Sequence, residues 1–207
     1  MSRFGELLFT PSVKAVQERL GSRAAYARTA GASPALFGPD EREFIAARDS
    51  LYIASVGEGG WPYVQHRGGP TGFVHVLDDR TLAFADYRGN RQYISVGNLA
   101  ADDRVAVIFM DYPHRARLKV LAHASVVGTE EDPELLRRVA AASGSARVER
   151  AFVLRVEAFD WNCPQHITPR FTEEELRETL APVGERLEAL ERENRELRAL
   201  LAEARHA

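Results

Sequence analysis

The chain carries a single cysteine, Cys163, in 207 residues. No intrachain disulfide can form, which suits a reducing compartment and predicts a cytoplasmic protein. Long apolar runs are missing as well, and no segment approaches the roughly 20 apolar residues of a membrane span. The opening stretch, MSRFGELLFTPS, has no continuous apolar core and no small-residue cleavage site, so no signal peptide is expected. Excess positive charge is absent: the formal net charge is −3, with a pI near 6.1, unlike the strongly basic footprint of a general nucleic-acid binder. Cys163 and His166 have no companion Cys or His cluster, which argues against zinc. What is present is the composition of a soluble globule, long enough for one well-buried domain and an appendage.

The N-terminal part reads as helical. Thr10-Pro11 is an N-cap followed by proline at the first helical position, opening a helix to about residue 20. A second short helix is expected over 24–29, and Pro39-Asp40-Glu41 opens another. The periodicity then changes to two. Strands are expected over 51–56, 63–68, 73–77, 81–86, 105–110, 118–127 and 151–159, with a connecting helix over 133–142. Antiparallel strands with short turns indicate a mainly β fold with flanking helices, a small closed or split β-barrel. Arg117 and Lys119 share one face of their strand, while Leu118, Val120 and Ala122 share the other. The two cations belong either to a ligand-facing side or to a solvated one.

The most informative run is FADYRGNRQYISVGNL, residues 84–99. An apolar strand ends at Asp86-Tyr87, Gly89 turns the chain, and Asn90 stands where the next helix is expected to begin. Asn is a strong N-cap, and the first helical turn leaves amides without partners. Arg91 and Gln92 beside them complete the chemistry of a phosphate cradle. Asp86 suits either a sugar-alcohol hydroxyl or the cap of its own turn. Gln65, His66 and Arg67 lie on the strand expected beside this corner, and alternation allows Gln65 and Arg67 one face and His66 the other. Trp161-Asn162-Cys163-Pro164-Gln165-His166 is the least ordinary polar run. Trp161, Asn162 and Gln165 could stack on and hydrogen-bond a planar heterocycle, or the run could be a tight turn with Trp161 in the core. Cys163 reads as structural, since no base accompanies it. His75 and His123 read as hydrogen-bonded structural histidines, and Gly68, Gly69, Gly72 and Gly97 as turn or close-approach positions.

The tail, residues 172–207, is a separate object. Thr172 and Glu175 form a capping box, and Pro182 is expected to interrupt or restart the helix. Beyond it Leu187, Asn194 and Leu201 fit heptad position a, with Val183, Leu190 and Leu197 at d. One Asn on a leucine-rich seam fixes register in two-stranded parallel coiled coils. The other reading is a single amphipathic helix folded back on the barrel.

Four runs carry a resemblance: QHRGGPTGF (65–73), FADYRGNRQYISVGNL, the MDYP run to Lys119, and WNCPQHITPRF (161–171). With them the chain resembles the pyridoxamine 5′-phosphate oxidase-related FMN-binding proteins, in their predicted flavin-nucleotide-binding subgroup. The resemblance implies a six-stranded antiparallel split barrel over 44–171, preceded by a helical segment over 1–43. It also implies a homodimer with FMN at the subunit interface. The FMN phosphate would then meet Asn90, Arg91 and Gln92, where the family has a Ser-Arg-Lys triplet, and the strand of Gln65, His66 and Arg67. Arg117 would supply a polar contact to the flavin. The C-terminal Trp and Arg of the oxidases have no counterpart, and WNCPQHITPRF stands there with different groups. The implied function is an FMN-dependent oxidoreductase acting on an unknown small molecule. The alternative is a non-catalytic flavin-carrying dimer whose coiled coil recruits a partner. Pyridoxamine phosphate oxidation itself is less favoured, and no catalytic acid or base can be named.

Overall fold

The computed structural model describes residues 3–27, 36–140, 147–161 and 164–206. It divides into two compact units, Met1–Ile167 and Thr168–Ala207. The first unit is built on β1 (Ser50–Val56), β2 (Pro62–Gly68), β3 (Val74–Val76), β4 (Thr81–Tyr87), β5 (Arg104–Asp111), β6 (Ala116–Gly128) and β7 (Val148–Trp161). Around them lie α1 (Arg3–Leu8), α2 (Pro11–Arg19), α3 (Arg23–Ala27), α4 (Pro39–Ala46), α5 (Ile94–Ala101) and α6 (Pro133–Ala140). All strand pairs are antiparallel, in the order β2-β1-β5-β6-β7-β4-β3. The sheet therefore has seven strands where the split-barrel expectation is six, because three-residue β3 pairs along the outer edge of β4.

Alternation explains why these segments are strands. Along β6, Leu118, Val120, Ala122 and Ala124 are buried, while Arg117, Lys119, Leu121 and His123 take the other face. The inward set joins Leu51 and Ile53 of β1, Phe84 of β4 and Phe152 and Leu154 of β7 in one core. β1 and β4 stand four places apart in the sheet, about 19 Å if it were flat. Side chains from both can share a core because the sheet curls round it. A second, smaller cluster forms where Leu136 and Val139 of α6 cover Ala83, Ala85 and Ala151.

The helix starts follow their capping chemistry. Thr10 accepts the Val13 amide at 3.3 Å, with Pro11 opening α2. Glu41 accepts the Gly38 amide at 2.9 Å at the start of α4. Asp132 accepts the Leu135 amide at 2.9 Å beside α6. Six-residue α1 was not anticipated; its Phe4 ring lies 4.8 Å beneath the Lys119 ammonium, which also pairs with Asp160 at 2.8 Å. These partners account for Lys119.

A buried ion pair ties the end of α4 to the β5–β6 hairpin. The Arg48 guanidinium donates to the Phe44 and Met110 carbonyls, both at 3.2 Å, and meets Asp111 Oδ2 at 2.9 Å. Asp111 Oδ1 accepts the His114 amide at 3.0 Å. Burial pushes the Asp111 carboxyl up, but the His114 amide and the Arg48 charge outweigh it and hold it below its ordinary value. A depressed carboxyl stabilises the fold above the ordinary carboxylate range, and that stabilisation disappears as pH falls through the depressed value.

Asp111→Asn is expected to lower stability by about 3 kcal/mol at neutral pH, since it strands the Arg48 charge. The gap to the parent chain should narrow below about pH 4, as read by urea unfolding at both pH values. Gly69 offers a steric test. An added Cβ would stand 2.7 Å from Phe73 Cβ, and Phe73 is fully buried. Gly69→Ala should cost about 1–3 kcal/mol by overpacking, measured as a shift in denaturation midpoint.

Candidate functional site

A cavity of about 210 Å³ opens between β2, the end of β4, the start of β7 and the loop leading into α5. Its floor is ionic. Arg67 Nη1 meets Asp86 Oδ1 at 2.6 Å, and Arg150 Nε stands 3.3 Å from Asp86 Oδ2. Asp86 is 6% exposed, so burial pushes its carboxyl above the ordinary value against the opposing charges of Arg67 and Arg150. Arg67 also lies 4.9 Å over the Phe152 ring, which fixes its plane. The register slips by a residue between Asp86 and Tyr87, a bulge at the cavity edge.

From Asp86 the network continues outward. Arg150 Nη2 donates to Glu149 Oε2 at 2.7 Å, and Arg88 approaches Glu149 at 3.8 Å. The Tyr93 hydroxyl donates to Glu149 at 3.3 Å and accepts from Arg91 Nε at 3.2 Å. Desolvation alone would raise the Glu149 carboxyl, yet the hydrogen bonds from Arg150 and Tyr93 and the nearby arginines bring it below its ordinary value. Four guanidinium groups, those of Arg67, Arg88, Arg91 and Arg150, thus surround two carboxylates.

The helix begins later than the sequence suggested. α5 starts at Ile94, its cap position is Tyr93, and no side chain caps its first turn. Asn90 instead turns its amide oxygen onto the Gln92 amide at 3.2 Å, closing a local turn. Arg91 and Tyr93 then take left-handed backbone, φ 61° and 54°, and these two residues redirect the chain before the helix can form. Such conformations are strained for non-glycine residues. Asn90 is therefore not the cap, and Arg91 precedes the first helical turn. The uncapped turn, Ile94 to Val96, still lines the cavity. Ser95 Oγ donates to Gln65 Oε1 at 2.8 Å, joining α5 to β2.

The structure brings Gln65, Arg67, Asp86, Asn90, Arg91 and Gln92 around this one cavity. Others lie elsewhere. His66 is exposed on the opposite face of β2, its ring edge-on to Tyr52 at 5.5 Å, as strand alternation requires. Arg117 pairs across β5–β6 with Met110 and is not in the lining. Trp161 ends β7, with Nε1 donating to Glu41 at 2.7 Å and its ring edge-on to Phe44 at 4.7 Å. It covers α4 and is neither in the core nor near the cavity. Gln165 is exposed. Asn162 and Cys163 lie outside the described residues. His123 meets Asp103 at 2.8 Å, but buried His75 Nε2 has no partner among the described residues. Burial, then the Arg138 charge, lower its pKa. Gly72 has the positive φ of a turn glycine, whereas Gly97 has open space around it.

Sequence reasoning missed Tyr93, Ser95, Glu149 and Arg150. The signal for the last two was a charged pair heading the largely apolar strand VERAFVLRV, in which Arg155 is the one further charge. Two of the four buried side-chain polar atoms without a hydrogen-bond partner among the described residues belong to residues that line the cavity, Arg67 Nε and Tyr87 OH; a third, Arg150 Nε, is outside the lining and only approaches Asp86 Oδ2, at 3.3 Å. Buried donors are normally satisfied. The Arg67 and Arg91 guanidinium groups in the lining, with the uncapped amides at the start of α5, make a donor set suited to a compact, doubly charged oxyanion such as a phosphate monoester.

The fold has known counterparts. HupZ of Group A Streptococcus superposes with a TM-score of 0.50 at 16% identity, over 66% of this chain and 100% of that one. A putative pyridoxamine 5′-phosphate oxidase from Lactobacillus delbrueckii gives 0.46 at 22% identity, over 60% and 93% of the two chains. An FMN-binding protein from Syntrophomonas wolfei gives 0.45 at 12%, over 73% and 95%. Comparison with curated proteins gives no match. The family model described as pyridoxamine 5′-phosphate oxidase matches residues 37–162, from just before α4 to just past the end of β7. With well over half its length inside that match, the chain belongs to the pyridoxamine 5′-phosphate oxidase family.

Proposed function

We propose that this chain is an FMN-binding flavoprotein, an FMN-dependent oxidoreductase working as a homodimer on a small molecule. The reading rests above all on the donors that line the cavity, the Arg67 and Arg91 guanidinium groups and the uncapped first turn of α5, which match the oxygens of a phosphate ester. Arg91 would close over the phosphate from the solvent side, and the amides at the start of α5 would face its charge. Gln65, held by Ser95, would position the adjoining sugar-alcohol chain. FMN when bound would supply the two-electron redox chemistry, and the protein placement and electrostatics.

The cavity's size bears on the dimer. At about 210 Å³ it is smaller than the roughly 300–1,000 Å³ typical of ligand pockets. It suits the phosphate end and leaves the ring to be covered from outside. Arg117, Trp161 and Gln165, held away from the cavity of their own chain, would reach a flavin ring only from a second copy. A second reading, a non-catalytic flavin carrier, draws support from the two carboxylates of the site. Asp86 and Glu149 are both committed to guanidinium partners, which leaves neither poised as a base. A bound flavin that no nicotinamide cofactor or candidate substrate reduces would favour the carrier.

FMN binding is expected to depend on the phosphate. Titration with FMN and with riboflavin, followed by quenching of flavin fluorescence, should show FMN binding more tightly. Arg91→Ala should narrow that preference by about tenfold or more, the loss of a charge-assisted hydrogen bond. Equal affinity of the parent chain for FMN and riboflavin would remove the phosphate from this corner. A second expectation concerns Asp86. Asp86→Ala takes the carboxylate partner from Arg67 and leaves Arg150 only Glu149; it should cost about 3 kcal/mol in chloride buffer. Inorganic phosphate should then raise the variant's melting temperature more than the parent's, in thermal scans at matched ionic strength.

A further inference from the structure

The second unit holds α7, Glu173–His206, a single 34-residue helix. Thr172 caps it, accepting the Glu175 amide at 3.2 Å while Glu175 accepts the Thr172 amide at 2.7 Å. The expected interruption at Pro182 does not occur. Pro182 removes the hydrogen bond to the Glu178 carbonyl, but one missing bond does not stop a helix that runs 34 residues and also passes through Val183 and Gly184. Register is therefore continuous, and the heptad extends backward from Val183. Position d is Leu176, Val183, Leu190 and Leu197; position a is Leu180, Leu187, Asn194 and Leu201. Pro182 falls at c, on the outer side, where its ring does not touch the seam.

All seven apolar members of this seam are exposed, from 43% at Leu190 to 62% at Val183. A helix this exposed has little to hold it, since most helical stability comes from covering an apolar face. The width of the seam indicates what covers it. A helix lying on a globular core needs an apolar stripe at least 100° wide, but here Arg177, Arg186, Glu191, Glu193 and Arg198 occupy e and g along most of its length. That leaves the narrow a/d strip of a coiled coil.

We propose that α7 pairs in parallel and in register with α7 of a second copy, as a two-stranded coiled coil from Leu176 to Leu201. Charge complementarity selects the partner and its direction. In parallel register Arg186 at g faces Glu191 at e of the other helix, and Glu193 faces Arg198, so every such contact is attractive. Within one helix Arg195 reaches Glu191 only at 4.0 Å, leaving that carboxylate available. Asn194 sets the register, because in parallel pairing it meets its own copy and the two amides can hydrogen-bond. In antiparallel pairing a packs against d, and each Asn194 would be buried against leucine or valine. An Asn at a with Leu at most d positions favours two strands over three or four.

The test uses the full-length chain with Cys163→Ser, prepared without flavin, so its outcome is independent of the FMN reading. On oxidation, Leu201→Cys is expected to shift to a covalent dimer on a non-reducing gel, while Ala199→Cys on the outer face stays monomeric. Glu193→Arg should lose the Leu201→Cys cross-link, and adding Arg198→Glu should restore it. Absence of the Leu201→Cys dimer, or equal cross-linking at 199, would overturn the pairing. So would a cross-link between mixed Leu201→Cys and Leu176→Cys chains, the signature of an antiparallel pair. Circular dichroism at 222 nm checks that each variant keeps its helix.

Discussion

The contact between Arg67 and Asp86 governs the architecture of the first unit. β2 and β4 stand five places apart in the sheet order, about 24 Å on a flat sheet, yet their side chains meet at 2.6 Å. The sheet has no hydrogen-bonded closure among the described residues, so this pair and the Gln65–Ser95 bond are what fasten the free edge strand β2 back over the core. A charge taken out of water is costly unless it is paired. Asp86 is the most deeply buried charge of the group, and it is tolerable because Arg67 and Arg150 approach it from two strands. The cavity is a by-product of that closure, bounded by the strands the ion cluster joins.

Closing a sheet with ions rather than with backbone bonds leaves polar atoms over. A ladder satisfies each amide and carbonyl in turn, whereas a guanidinium carries five N–H donors, and the single contacts of Arg67 and Arg150 with Asp86 leave some of them over. Arg67 Nε has no hydrogen-bond partner among the described residues, and Arg150 Nε only approaches Asp86 Oδ2, at 3.3 Å. The fold and the proposed ligand site thus have one origin. The Arg67 guanidinium that holds β2 in place is also part of the cavity wall.

The strands were legible because their burial alternates so regularly, as along β1 and β6, and α2 because Thr10-Pro11 is a local cap. Of the site, Gln65, Arg67 and Asp86 could be read as convergent from alternation and the order of the hairpins. The start of α5 could not. Asn90 has the chemistry of a cap, and whether it caps a helix or closes a turn onto Gln92 depends on the left-handed turns at Arg91 and Tyr93, which no composition signals. Arg150 was hidden for a different reason. Its partner Asp86 lies 64 positions earlier, and only the β4–β7 pairing aligns them. Pro182 misled in the opposite direction, because a single missing bond weighs little within 34 helical residues.

Strand order also has a kinetic side. β1–β2, β3–β4 and β5–β6 are hairpins that close over short loops, but β1–β5 and β4–β7 join segments some fifty to seventy positions apart, and such nonlocal pairings form slowly. The cavity draws on β2, β4, β7 and α5 at once, so it does not exist until those late pairings are complete. An anion held there stabilises the finished chain and nothing that precedes it. Its effect falls on the rate at which the native molecule comes apart, and the rate of assembly is left as it was.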